Sequence, residues 1–445
     1  MQIFKTTSLF TGMQAGKTLF QSILWRGLYY VTVFIINILI ARHFQAATSG
    51  AIYYLSSVYA FILLFVSFSI ESGITYFAAN EKISVNKLFS FSILWSFITG
   101  AVIFCLLFFN KDSYAGIDKQ LLLVSAIAFI CGNLLTAYCT GIFYAKNNFL
   151  LPNLVSIIIT VILIILLPHN GHSILRTIND DNYFYFYFGS FLLQGICLAI
   201  ILCSKYVQIK MPWFMSMEEF RLLFRYCMMA YLANIIFFLL YRIDYWFVEK
   251  YCSAVQLGNY IQVSKLGQLF FILPTILASA IFPLTAGGQK EKVNSLLPLL
   301  SRSIFWLYAI ICLLLMLAGK WLFPFIFGAD FTGMYQPFLL LIPGILSLSG
   351  LFTLTAYYAG KNKIKVNITG SLLALVVIIV GDSIFIPMYG IKAAAFISSI
   401  GYIVYQVYVL IIFNKEYQTQ INDFFILKIS DWQNIKKIVS AYFKN

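Results

Sequence analysis

Apolar stretches long enough to cross a bilayer follow one another almost end to end, near residues 18–41, 50–70, 88–109, 120–144, 150–167, 183–204, 222–248, 254–283, 301–318, 335–358, 366–386 and 391–413. A helix crossing a hydrocarbon core of about 30 Å needs roughly 20 mostly apolar residues and hydrogen-bonds all its own backbone groups. Barrel strands would be about half that length, with strict alternation. These runs therefore predict an all-α polytopic membrane protein with about twelve transmembrane helices. The composition agrees: with 61% hydrophobic and 10% charged residues, the chain has too little polar surface to dissolve as a globule, so lipid must solvate it.

The residues before the first span are polar and that span is full length, so no cleavable signal is expected and the first helix should remain as an anchor. The net charge of +14 does not indicate nucleic-acid binding, because the basic residues are distributed by topology. They gather on alternate loops, with Lys205, Lys210, Arg221 and Arg225 between the sixth and seventh spans and Lys361, Lys363 and Lys365 between the tenth and eleventh. The opposite side is thin in cations, with Arg176 and Lys250 as examples. The positive-inside rule then predicts both termini in the cytoplasm of a multi-pass protein. The predicted organisation is an N-terminal six-helix half over residues 1–210, a C-terminal six-helix half over 211–414, and a cytoplasmic tail over 415–445. In that tail Ser430–Phe443 reads as an amphipathic helix, with Trp432, Ile435, Val439 and Tyr442 on one stripe, lying on the inner leaflet.

No catalytic chemistry is indicated. The eight cysteines form no CxxC and lie almost entirely in apolar spans, where a thiol packs as a small hydrophobe. His169 and His172 form an HxxH with no third ligand nearby, so no metal site is predicted, and no Walker lysine follows a glycine-rich loop. The loops leave no room for a catalytic domain, and no cofactor is implied. A membrane glycan polymerase or ligase would want a large outer loop carrying base and arginine residues, which is absent from this pattern.

Internal similarity points to transport. Tyr144-Ala145-Lys146-Asn147-Asn148 before the fifth span parallels Tyr358-Ala359-Gly360-Lys361-Asn362 before the eleventh, Asn153 matches Asn367, and Ser49-Gly50 resembles Leu257-Gly258. Six helices are an even number, so the halves would share one orientation, related by a pseudo-two-fold axis along the membrane normal and enclosing a central cavity.

Arg242-Ile243-Asp244-Tyr245-Trp246-Phe247, Leu257-Gly258-Asn259-Tyr260, Lys265-Leu266-Gly267 and Ile281-Phe282-Pro283 resemble the seventh and eighth helices of the polysaccharide-biosynthesis flippases. These are the O-antigen and related oligosaccharide exporters of the multidrug/oligosaccharidyl-lipid/polysaccharide superfamily. Phe325-Ile326-Phe327-Gly328, Tyr358-Ala359-Gly360-Lys361 and Ile386-Pro387-Met388-Tyr389-Gly390-Ile391-Lys392-Ala393-Ala394-Ala395 are similar to further stretches of that family. The pattern departs at Lys392 and Ala393, where a small residue and Gly are common, and at Ile70-Glu71-Ser72-Gly73, where Gly-Leu-Gly is frequent. The resemblance implies translocation of an undecaprenyl-diphosphate-linked oligosaccharide, the repeat unit of an O-antigen of lipopolysaccharide, a capsule or an exopolysaccharide, from the cytoplasmic to the periplasmic leaflet of a bacterial inner membrane. Its implied partners are that lipid-linked oligosaccharide and membrane lipids, with a glycan polymerase or glycosyltransferases as candidate protein partners; a monomer is favoured.

A diphosphate headgroup asks for buried cations and many amide and hydroxyl partners. Arg26, Arg242 and Lys265 sit inside the first, seventh and eighth spans, and a cation there costs at least about 2.5 kcal/mol on insertion scales. At 100° per residue Ser22, Arg26, Tyr30 and Asn37 share one stripe of the first span, and Gln262, Lys265 and Gln268 one arc of the eighth. Arg26, Arg242, Lys265, Asn37, Gln262 and Gln268 are therefore the expected substrate-binding residues, and Asp244 is the candidate site for a coupling proton or sodium ion. Scarce acid and net positive charge within the spans favour this flippase over the alternative, a cation-coupled multidrug exporter of the same superfamily. Pro274 and Pro343 are expected to kink the eighth and tenth helices.

Overall fold

The computed structural model describes residues 3–109, 119–167, 180–207, 214–286, 290–418 and 420–428. The described parts of the predicted spans are helical except at breaks within the second and the eighth and at Leu167, which ends the fifth. In chain order the helices are α1 (Ile3–Ser67), α2 (Ile70–Ala79), α3 (Val85–Phe109), α4 (Lys119–Ala145), α5 (Leu150–Leu166), α6 (Asp180–Tyr206) and α7 (Met217–Tyr251). They continue with α8 (Ala254–Leu269), α9 (Ile272–Ala286), α10 (Lys290–Phe327), α11 (Tyr335–Gly360), α12 (Ile364–Tyr389) and α13 (Ile391–Tyr417). Ten described helical spans are long and apolar enough to cross a membrane; one of them, Leu24–Ser67, covers most of the first two predicted spans, and the shorter Leu150–Leu166 is the fifth. The fold is all-α and polytopic.

Two boundaries differ from expectation. No loop separates the first two spans: the chain turns at Gln45 alone, whose φ of 59° and ψ of −176° interrupt α1. The eighth predicted span is split into α8 and α9 just before Pro274. Proline at position i removes the N–H that would bond the carbonyl of i−4, and its ring crowds that carbonyl. Here that carbonyl belongs to Phe270, and it accepts a hydrogen bond from the Tyr308 hydroxyl instead. Pro343, by contrast, lies within the unbroken α11. The turn behind it is repaired by α13: the Gly344 N–H donates to Ser399 Oγ (3.2 Å), which itself donates to the Leu340 carbonyl (2.6 Å).

The chain divides into two compact units, one of Met1–His43 with Tyr54–Ile235, the other of Phe44–Tyr53 with Ile236–Asn445. In the first unit α4 packs on α6 so closely that a Cβ at Gly195 would lie 2.8 Å from the Gly132 carbonyl oxygen, and only glycine fits. Tyr59 reaches across to hydrogen-bond Ser125 (2.8 Å), with its ring against Phe129 and Phe188. In the second unit α11 lies against α9, α10 and α13, and α12 against α13. The 3₁₀ segment Ile421–Phe424 docks on α10, where the Arg302 guanidinium donates to the Asp423 carbonyl (2.9 Å) and the Trp306 indole to that of Phe425 (2.8 Å).

The turns after α4 and α11 repeat in geometry, one residue out of the register in which the sequence segments match. Asn147 ends α4 with φ of 57° and Asn362 ends α11 with φ of 60°. In each turn a later N–H reaches back five residues, from Asn148 to the Phe143 carbonyl (2.9 Å) and from Lys363 to that of Tyr358 (2.8 Å). This is the left-handed helix end that asparagine tolerates better than most residues. His169, His172, Arg176, Lys210 and the proposed helix Ser430–Phe443 lie outside the described residues.

Candidate coupling and substrate site

The second unit gathers its charged membrane residues where α7 and α8 meet α12 and α13. Helix α8 starts on a capping box, in which Ser253 Oγ accepts from the Gln256 N–H (3.3 Å) while the Gln256 side chain accepts from the Ser253 N–H (3.1 Å). Its register brings Tyr260, Ser264 and Gln268 to the same group of contacts. Tyr260 donates its hydroxyl proton to Asp244 Oδ2, and Ser398 of α13 donates to the same oxygen at 3.1 Å. Asp244 is 2% exposed, and its Oδ1 has no hydrogen-bond partner. Asp382 of α12 is fully buried, neither of its carboxylate oxygens has a partner, and it lies within electrostatic range of Asp244 and Tyr260. Two buried carboxylates with three unpartnered oxygens are costly as a doubly charged pair, since each unpaired ion away from water costs several kcal/mol. A bound proton or a small monovalent cation removes that cost. Asp244, Tyr260, Ser264, Gln268, Ser398 and Tyr402 line a narrow cavity beside them.

A cationic pair, Arg242 and Lys265, is carried by the same two helices, α7 and α8, that carry Asp244 and Tyr260. Lys265 places its ammonium 3.0 Å from the centre of the Tyr53 ring, and Arg242 sits over Phe238 at 5.2 Å. The two cations are within electrostatic range of each other, and Arg242 is also within range of Tyr245, whose hydroxyl donates to Ser264 (2.8 Å). A lysine packed on an aromatic face keeps part of its electrostatic partner while staying able to meet an anion. Gln262, 2% exposed, has an unpartnered carbonyl oxygen, and the Gln268 amide reaches Ser264 at 3.4 Å.

Residues 38–336 match the model of the polysaccharide biosynthesis protein family. The chain belongs to that family. No curated protein sequence matches it. Among solved structures, the lipid II flippase MurJ in an inward closed conformation superposes with a TM-score of 0.71 at 18% identity, over 90% of this chain and 89% of that one. The Vibrio cholerae MATE transporter VcmN in its bent form gives 0.60 at 16% identity, over 92% and 98%. A MOP superfamily transporter from Pyrococcus furiosus gives 0.61 at 13% identity, over 90% and 93%. At these identities the likeness is one of fold: the family member has the helical architecture of MOP superfamily transporters.

Of the residues singled out by sequence, Arg242, Asp244, Gln262, Lys265 and Gln268 are thus all found in the second unit of this polysaccharide biosynthesis protein. Arg26 and Asn37 belong to the first. Arg26 is exposed and stacks on Tyr144 at 4.9 Å, and Tyr144 in turn accepts from the Asn153 amide (3.0 Å). The Asn37 amide donates to the Val33 carbonyl of its own helix (2.7 Å). Sequence reasoning missed Asp382, although it falls inside the eleventh predicted span. Asp244 is therefore one of two carboxylates there, which corrects its standing as sole candidate. A single acid in an apolar run was signal enough to find Asp382. Tyr260, Ser398 and Tyr53 carried no such signal.

Proposed function

We propose that this polysaccharide biosynthesis protein is a flippase, carrying an undecaprenyl-diphosphate-linked oligosaccharide from the cytoplasmic to the periplasmic leaflet of a bacterial inner membrane by alternating access. The observation that supports this reading is that one unit holds both a cation pair, Arg242 and Lys265, and an acid pair, Asp244 and Asp382, with Arg242 and Asp244 two residues apart on α7. The cations answer the diphosphate, while Gln262 and Gln268 supply amides for phosphate or sugar oxygens. The acids bind a proton or a sodium ion, whose arrival and departure change the charge beside Tyr260 and Ser398 and bias one conformation over another. A ligand shifts such an equilibrium only by its differential affinity, so the anion and the cation are coupled if each alters the field felt by the other. Arg26 and Asn37, both in the first unit, are proposed in their own right as substrate-binding residues.

The test is to delete the gene, determine which leaflet holds the lipid-linked oligosaccharide, and restore wild type, Lys265→Ala or Arg26→Ala. Accumulation on the cytoplasmic side, relieved by wild type and not by the alanine variants expressed at equal level, is the expected result. Normal glycan export together with new sensitivity to cationic drugs overturns it and assigns the chain to multidrug export.

A further inference from the structure

The second predicted span is broken in the first unit, and the break half-buries a carboxylate, one of its oxygens fully enclosed, that the flippase reading does not use. Helix α1 ends at Ser67, Phe68 and Ser69 both adopt left-handed backbone (φ 45° and 53°), and α2 begins at Ile70. A left-handed residue other than glycine costs roughly 1–2 kcal/mol, so two in succession need support. They have it from two neighbouring helices: the Trp95 indole of α3 donates to the Val66 carbonyl (2.8 Å), and the Asn234 amide of α7 to Ser69 Oγ (2.9 Å). The Ser69 N–H also donates to Ser67 Oγ (3.3 Å).

This break sets Glu71 in the first turn of α2, nine residues and roughly 13 Å of helix away from the end at Asn80. Oε2 of Glu71 is buried without a partner, and so is the hydroxyl of Tyr138, a fully buried residue of α4 within electrostatic range of Glu71. From α7 the buried Cys227 thiol is also within range, pressed against Gly73 so that a Cβ there would lie 2.5 Å from its sulfur. The Thr75 hydroxyl donates to the Glu71 main-chain carbonyl (2.8 Å) and leaves the carboxylate free of it. On α3 the charged residue is Lys87, which is engaged with Glu219 (2.8 Å), while Lys146 beyond α4 is engaged with Glu81 (2.8 Å). The titratable side chains beside Glu71 are thus a phenol and a thiol, both neutral.

We propose that Glu71 is a second proton-binding site, built into the break of the second span and separate from the acid pair of the other unit. The helix N-terminus favours the anion, and burial with an unpartnered oxygen disfavours it. A proton on Oε2 cancels the charge at an enclosed oxygen that no donor reaches. The donor set selects a proton over a metal cation: one carboxylate, one phenol and one thiol fall short of the several hard oxygens that such cations gather. Because Glu71 is anchored two residues after Ser69, gain or loss of that proton acts directly on the segment where the span is broken.

The experiment uses the full-length wild-type protein in nanodiscs of neutral lipid and the carboxyl reagent dicyclohexylcarbodiimide, which adds to protonated carboxyls in apolar surroundings, with adducts located by peptide mass spectrometry. The expected result is an adduct on Glu71 that declines several-fold as pH is raised and does not respond to sodium. The infrared carbonyl band of a protonated carboxyl, followed over the same pH range, is expected to lose one component in Glu71→Gln. An adduct suppressed by sodium at constant pH, or none on Glu71 together with no infrared difference between wild type and Glu71→Gln, overturns the proposal. Neither readout depends on transport or on the identity of the carried lipid, so failure here leaves the flippase reading standing.

Discussion

Asp382 is buried in the second unit with neither oxygen hydrogen-bonded, and beside it Asp244 has one orphaned oxygen. A bound coupling ion should therefore stabilise the protein strongly: a ligand at a hundredfold its Kd contributes about 2.7 kcal/mol. Thermal unfolding in detergent, scanned over sodium concentration and pH, is expected to show a rise in Tm that Asp382→Asn abolishes without lowering the basal Tm. An unchanged ion response in Asp382→Asn would remove the acid pair from coupling. On the cationic side, Lys265→Met should fold and leave that ion response intact while cutting transport about tenfold or more, because a charge-assisted contact is worth about 1.5–3 kcal/mol. Equal transport by Lys265→Met and wild type in a reconstituted leaflet assay would show that Lys265 only packs on Tyr53. The charged residues were legible because a lone charge inside an apolar run is expensive and has few reasons to be there, and Asp382 was readable by the rule that picked out Asp244. Tyr260, Ser398 and Tyr53 were not, since residues like these are common in apolar helices and only the interhelical register of α8, α13 and α1 selects these three.

Helices as elements followed almost directly from hydropathy, whereas their interruptions depended on backbone chemistry that apolar composition conceals. The break between α8 and α9 was half legible, through Pro274; that Tyr308 would satisfy the freed Phe270 carbonyl belongs to packing. Tyr308→Phe is expected to cost about 1–3 kcal/mol, the penalty of a buried carbonyl left without a donor. In a Pro274→Ala background the restored N–H can take over that carbonyl, so the same change should cost clearly less. A double-mutant cycle on thermal or denaturant unfolding gives the answer, and additivity would show that the two residues do not share the carbonyl. The breaks at Gln45 and at Phe68–Ser69 had no proline or glycine to announce them. The segment after α13 offers a pH test: the Lys428 ammonium donates to the Asp423 carboxylate (2.6 Å) and holds it below its usual range. A depressed folded value contributes stability above the unfolded value near 4 and loses it as pH falls through the folded one. Trp306, whose indole donates to the Phe425 carbonyl, should keep its emission from pH 8 to about 5 and change it only in stronger acid. A transition near neutrality would show that another group controls docking.

Orientation is a property of the whole molecule, and here it rests on where charge is concentrated. The turn between α11 and α12 carries Lys361 and Lys363, both paired with Glu416, and Lys365 follows in α12. The turn between α12 and α13, one membrane crossing away, is followed at once by the exposed Lys392 at the start of α13 and has its Gly390 beside Cys252 after α7, at 3.7 Å for an added Cβ. Because α12 spans the bilayer, these two turns lie on opposite faces, and the positive-inside rule assigns the first to the cytoplasm. With native cysteines replaced, Lys392→Cys should react with a membrane-impermeant maleimide in intact cells from which the outer membrane has been removed, and Lys363→Cys only after lysis. The reverse pattern would invert the molecule and, with it, the direction of transport proposed for it. The concentration of basic residues on one set of loops is set by insertion and not by tertiary packing, so the bare sequence carries a prediction of orientation that this labelling tests. The assignment of Phe44–Tyr53 to the second unit was not, because it depends on the bare backbone contact of Gly50 with Gly258, where an added Cβ would come within 2.6 Å of the facing Cα.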